Sequence, residues 1–195
     1  MATALTALAG PLNQADRDRV LSELNSSRKL FLESITGLSP AQWTFKAGPD
    51  RWSIAEVSEH IVAAEGFIGG IVRDTVKTPA DPAKAAQREA GNAKADAGLL
   101  AGIRDRGNKA TAPAQIAPKG IYKTPADAAD AFKTARGKTI DYIRTTRDDL
   151  RDHFSSQLIG AELDGVQGFL MLSGHTERHV AQIEEVKQSP GYPKQ

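Results

Sequence analysis

The stretch SIAEVSEHIVAAEGFIGGI, residues 53–71, decides the reading of the fold. Ile54, Val57, Ile61, Ala64, Ile68 and Ile71 step by three and four, the seam of a helix that packs against other helices. Ser53 followed three residues later by Glu56 has the form of a capping box, so the helix begins there, behind Trp52. Thr78-Pro79 closes it.

Outward from this helix the same period recurs. Towards the N-terminus, a helix from about Ala15 to Leu38 repeats Leu24, Phe31 and Leu38 at seven, with Val20, Leu21 and Ile35 beside them, and stops at Gly37-Leu38-Ser39-Pro40. Towards the C-terminus, a third helix opens at Pro125, a residue suited to a first turn, and shows Ala128, Phe132, Ala135, Thr139 and Leu150 on one face. A fourth runs from about Glu162 to Lys187 and ends before Ser189-Pro190-Gly191-Tyr192-Pro193. Between the second and third helices, residues 79–124 carry prolines, alanines and dispersed charges with no long apolar face. We read them as a long, partly helical crossover, with Ala85 to Arg106 as its helix and Leu99, Leu100 and Ile103 as its anchors. The expectation is one all-α domain over residues 1–195, a four-helix bundle with tails at 1–14 and 189–195. A crossover of this length can carry the chain back and leave two consecutive helices parallel.

Composition narrows function. Lys and Arg total 25 against 24 Asp and Glu, a net charge of +1, with the signs interleaved. Such a chain has no field for gathering nucleic acid or an anionic membrane surface. It has no cysteine, which removes disulfides, thiolate ligands and a cysteine nucleophile, and suits a reducing cytoplasm. The opening MATALTALAGPLNQADRDR lacks a basic n-region, and no stretch approaches the ~20 apolar residues of a membrane span. A cytoplasmic location is expected.

Two of the four histidines stand in Gly174-His175-Thr176-Glu177-Arg178-His179. A spacing of four puts both imidazoles on one face, a turn apart, where they can share an ion. Leu172, His179 and Val186 repeat at seven, so His179 takes a position that packing alone would give to an aliphatic residue. A pair of this kind is read equally well as two hydrogen-bonded core histidines. The third imidazole shifts the balance: His60, on the margin of the apolar face beside Val57, Ile61 and Ala64, can look into the same interior. Three buried imidazoles are costly when protonated, whereas neutral rings converging on a cation use their lone pairs. Three protein ligands leave a coordination position open. Ligands of this type suit zinc, nickel, cobalt or ferrous iron.

Other residues carry weaker signals. Glu56, one turn before His60, is a candidate base, set against its role as a cap. Gln182 shares the face of His179 and can act as a donor to it, or serve as core polar packing. Glu177 falls on the opposite side of the helix and reads as solvated; the pattern is not His-Glu-x-x-His. His153 follows the charged end of the third helix and reads as exposed. Trp43 and Trp52 read as plugs for the end of the bundle.

At Trp52-Ser53-Ile54-Ala55-Glu56-Val57-Ser58-Glu59-His60-Ile61 and at His175-Thr176-Glu177-Arg178-His179-Val180-Ala181-Gln182-Ile183 the sequence resembles the DinB-like (DinB/YfiT) metalloenzyme family. The resemblance implies an up-up-down-down four-helix bundle and one divalent metal ion, zinc or nickel among the candidates, held by His60, His175 and His179. It further implies a small-molecule substrate, homodimers among relatives, and in some members a thiol-dependent S-transferase or isomerase using a low-molecular-weight thiol. The rival reading is a non-catalytic metal-binding or stress-response bundle.

Overall fold

The computed structural model describes residues 11–107 and 111–194; most of the 1–14 tail lies outside them. The described chain is mainly helical. It comprises α1 (Gln14–Ile35), the short α2 (Pro40–Thr44), α3 (Ile54–Thr75), α4 (Pro82–Arg104), α5 (Pro125–Thr145) and α6 (Gly165–Lys187). A 3-10 turn spans Ala114–Ile116, and β1 (Phe154–Ser155) pairs antiparallel with β2 (Leu163–Asp164).

Local chemistry sets these limits. Ser53 accepts from the backbone N–H of Glu56 while the Glu56 carboxylate accepts from that of Ser53, closing the capping box. Reciprocal boxes start α2 (Ser39 with Gln42), α5 (Thr124 with Asp127) and α6 (Asp164 with Gln167). Several ends differ from the sequence reading: α1 closes at Ile35 rather than Leu38, and α4 spans Pro82–Arg104 rather than Ala85 to Arg106. The third helix stops at Thr145 rather than near Leu150, because Asp148 accepts from Thr146 Oγ1 and Tyr142 Oη and turns the chain aside. The last helix starts at Gly165, since Leu163 and Asp164 are held in the strand pair. His153 therefore lies beyond any helix end; it is half-buried, not exposed, with a buried Nδ1 that has no hydrogen-bond partner among the described residues.

Two apolar clusters fix the directions of the helices. One gathers Val20 and Leu24 of α1, Ile68 and Val72 of α3, Ile140 and Ile143 of α5, and Val166 to Leu172 of α6. The other gathers Phe31 and Ile35, Ile54 and Val57, Ala128 and Phe132, and Ile183 and Val186. Each helix thus contributes opposite ends to the two clusters. α1 and α6 run one way, α3 and α5 the other, giving an up-down-down-up order instead of up-up-down-down. The cause lies in the connections. Residues 36–53 only reverse the chain between α1 and α3, whereas the crossover contains α4, which at 23 residues covers about 35 Å and returns the chain so that α3 and α5 are parallel.

α1 and α3 each pack against both α5 and α6, and α4 lies on α6. Close approach to α6 depends on two glycines. A Cβ at Gly168 would stand 2.5 Å from Val72 Cγ2, and one at Gly174 would stand 3.2 Å from Ile103 Cγ2 and 3.3 Å from Leu100 Cδ2. Leu99, Leu100 and Ile103 thus anchor α4, as the sequence suggested.

A buried guanidinium ties the helices together. Arg136 of α5 donates to both carboxylate oxygens of Glu65 on α3, to the Leu24 carbonyl (2.7 Å) and Ser27 Oγ (2.7 Å) on α1, and to Thr176 Oγ1 (2.9 Å) on α6. Neither Arg136 nor Glu65 shows in a hydropathy pattern, since both residue types are ordinarily surface ones.

Candidate metal centre

α3 presents His60 on its second turn, and α6 presents His175 and His179 one turn apart. Because the two helices run antiparallel, the N-terminal half of α3 faces the C-terminal half of α6. The three rings meet, with centroids 4.9 Å (His60–His175), 4.5 Å (His60–His179) and 4.4 Å (His175–His179) apart. One nitrogen from each lies within 4.8 Å of the others, a group that could hold a metal ion.

Hydrogen bonds assign two tautomers. His60 Nδ1 lies 2.9 Å from the Ile116 carbonyl, which can only accept, so Nδ1 carries the proton and Nε2 keeps its lone pair. His179 Nδ1 donates to Gln182 Oε1 at 2.8 Å, leaving Nε2 bare. His175 Nδ1 is buried without a partner among the described residues. Its Nε2 stands 3.1 Å from His60 Nε2. That is short enough for one shared proton, and close to the roughly 3.3 Å between two nitrogens on a tetrahedral ion at about 2.0–2.1 Å. The donor set fits a borderline divalent ion: neutral imidazoles, second nitrogens engaged at His60 and His179, and no thiolate.

The electrostatics hold the rings neutral. Burial is the main cause of the lowered pKa at His60, and it pushes His175 well down with help from His179 and His60. His179 is driven to about 3 by burial and then by His60, against the hydrogen bond to Gln182.

The nearby carboxylates are engaged elsewhere. Glu56, the candidate base, is occupied by its cap and by Lys46 Nζ at 3.0 Å. Glu177 is not solvated as expected: both its oxygens accept from Arg104 of α4. Gln182 pairs with His179 as an acceptor, not as the donor expected. Trp52 is more than a plug, since its ring lies 5.1 Å from that of His60 and lines the cavity; Trp43 is buried in the second cluster.

Glu59 escaped the sequence reading. Its carboxylate accepts three successive backbone N–H groups, from Lys119 (2.6 Å), Gly120 (2.7 Å) and Ile121 (3.0 Å). Gly120, at φ +76°, provides the left-handed turn that aims these donors at one point. Adjacent residues Glu59 and His60 thus hold the end of the crossover at two points. Periodicity gave no signal for this, since Glu59 lies on the side of the helix away from the apolar seam.

The imidazoles open into a cavity of about 680 Å3. Trp52, Arg106, Arg178 and Gln182 line it on one side of the histidines, and Phe67, Ile68, Leu158 and Met171 on the other.

Comparison with known proteins identifies the family of the chain. A sequence model described as the DinB superfamily matches residues 23–183, which include all three histidines. The chain belongs to the DinB superfamily. This DinB-superfamily chain is also 21% identical over 168 residues to the uncharacterised protein YuaE of Bacillus subtilis (strain 168), across 86% of this chain and 97% of YuaE. No solved structure matches it significantly. Among the described residues, no helix is long and apolar enough to cross a membrane.

Proposed function

We propose that this chain is a four-helix bundle that binds one divalent metal ion, zinc or nickel first, through Nε2 of His60, His175 and His179, and acts on a small molecule in the adjoining cavity. The convergence of three neutral imidazoles at the wall of a large cavity carries this reading. When bound, such an ion acts as a Lewis acid on an oxygen or sulfur atom of a further ligand.

The chain's own residues do the rest. The Ile116 carbonyl and Gln182 Oε1 fix the rings of His60 and His179 and hold the protons on Nδ1. Phe67, Ile68 and Met171 give the cavity an apolar wall. No glutamate neighbouring the histidines in sequence is available as a general base, since Glu56, Glu59 and Glu177 are each engaged. That favours a reaction in which the nucleophile arrives as a ligand, such as the low-molecular-weight thiol used by some DinB-like S-transferases and isomerases. The same observation supports a second reading, a non-catalytic metal-binding module.

The deciding experiment is metal content by mass spectrometry on protein purified without a metal-affinity tag, beside the His179→Ala variant. About one ion per chain, lost in the variant, supports the site. No ion, and no uptake of added zinc or nickel, overturns it. Turnover of an electrophile by metal-loaded protein with an added thiol then separates the enzyme from the binding module.

A further inference from the structure

The cavity is polarised along its length, and that polarity defines the kind of ligand it takes. On α6, Met171, His175, His179 and Gln182 follow at one-turn steps on the cavity wall. From Met171 to His179 the wall extends about 12 Å at 1.5 Å per residue. The Met171 end is apolar, with Phe67 and Ile68 of α3 and Leu158 beyond the end of α5. The opposite end is polar and on balance cationic, with Asp50, Arg51, Arg106 and Gln182. The imidazoles stand between the two.

The cationic end already holds a carboxylate in a guanidinium fork. Glu185 accepts from Arg106 Nε and Nη2, each at 3.0 Å, and lies 3.7 Å from Arg51 Nη2. Two guanidiniums share this one carboxylate, whose side chain is 41% exposed and so can be displaced. The fork is also linked to the centre: Arg106 Nη1 is 3.5 Å from Gln182 Oε1, the atom that accepts from His179 Nδ1. An anion held there would sit beside the imidazoles and offset the charge of an ion on them.

We propose that the cavity binds an amphipathic monocarboxylate, with its head on Arg106 and Arg51 in place of Glu185 and its apolar body lying past the imidazoles towards Phe67, Leu158 and Met171. This rests on the reading of the cavity as the functional site and names its ligand class. Glu185 acts as an internal competitor that keeps the fork ordered when the cavity is empty.

The test is titration calorimetry on the full chain with hexanoate, octanoate, octanol and octylamine, with zinc present and with chelator. Octanoate should bind at least tenfold tighter than octanol or octylamine, and about fourfold tighter per added methylene than hexanoate. Glu185→Gln should strengthen octanoate binding several-fold, and Arg106→Met should abolish the preference over octanol. Ile159→Glu, at a 44% exposed position on the apolar side where folding is not at risk, should remove the dependence on chain length. Absent octanoate binding, equal binding of octanol, or weaker binding in Glu185→Gln overturns the proposal. Zinc uptake without octanoate binding would do so while leaving the metal site standing. Selective octanoate binding without zinc uptake would uphold the ligand class and overturn the metal site.

Discussion

His60 and His175, 115 residues apart in the chain, bring their Nε2 atoms to 3.1 Å, while His175 Nδ1 has no partner among the described residues. Such an arrangement is stable only if the rings stay neutral, and this sets the response to acid. Each of the three folded-state pKa values lies below the ordinary 6.5, so under acidic conditions the unfolded chain binds more protons than the folded one. The stability they confer is complete above about pH 6.5 and is lost as pH falls towards about 3, the value for His179. Urea unfolding in chelator at pH 7.5, 5.5 and 4.5 should show this decline, and His179→Leu should flatten it. Parallel profiles for the two proteins would contradict the assignment.

Gln182 fixes the ring of His179, so Gln182→Leu should weaken zinc binding about 10–100-fold without unfolding the protein. Competition with a chromophoric chelator measures the affinity, and circular dichroism the fold. Gln182→Glu should retain binding, because a carboxylate can accept the same proton. An unchanged affinity in Gln182→Leu would place the metal elsewhere.

Replacing Glu65 with Leu strands the buried Arg136 charge and should cost about 3–5 kcal/mol in denaturant unfolding. Adding Arg136→Met should recover most of that loss, since it removes the unpaired charge. A double variant no better than Glu65→Leu alone would show that the remaining hydrogen bonds of Arg136 matter more than its charge.

Gly168 permits the crossing of α3 over α6. Gly168→Ala should destabilise by about 1–3 kcal/mol, as the new methyl meets Val72. Combining it with Val72→Ala should restore part of the loss. A single variant as stable as the parent would mean that the two helices separate freely.

Glu59→Ala should release the segment pinned by its carboxylate. Hydrogen exchange of the Lys119, Gly120 and Ile121 amides should accelerate at least tenfold, while amides within α5 and α6 keep their protection. Retained protection at 119–121 would mean the loop is held by other contacts.

Much of this protein was legible in its sequence, and the limits were physical. The seam Ile54, Val57, Ile61, Ala64 and Ile68 gave α3 its place because apolar periodicity reports burial directly. The histidines stood out as polar residues on apolar faces. Helix direction was not legible, since a heptad pattern carries no sign; the two clusters supplied it. Arg136, Glu65 and Glu59 were passed over because a buried charge looks like a surface charge until its partner is known. Arg106 and Glu185 remained unpaired in the reading because α4 has almost no apolar face to show where it lies. His153 was misplaced for a local reason: a side chain, Asp148, ended the helix that periodicity alone would have extended.

The distance along the chain between His60 and the two histidines of α6 has a consequence for synthesis. At about 5–20 residues per second, the ribosome needs some 6–23 seconds to add the 115 residues that separate His60 from His175. Throughout that interval α3 is complete but lacks the helix that covers His60, so the nascent chain exposes an apolar seam with a solitary imidazole. A lone histidine holds a divalent ion weakly, and loading must await α6. Any ion taken by the proposed three-histidine site can therefore be captured only after α6 has been made.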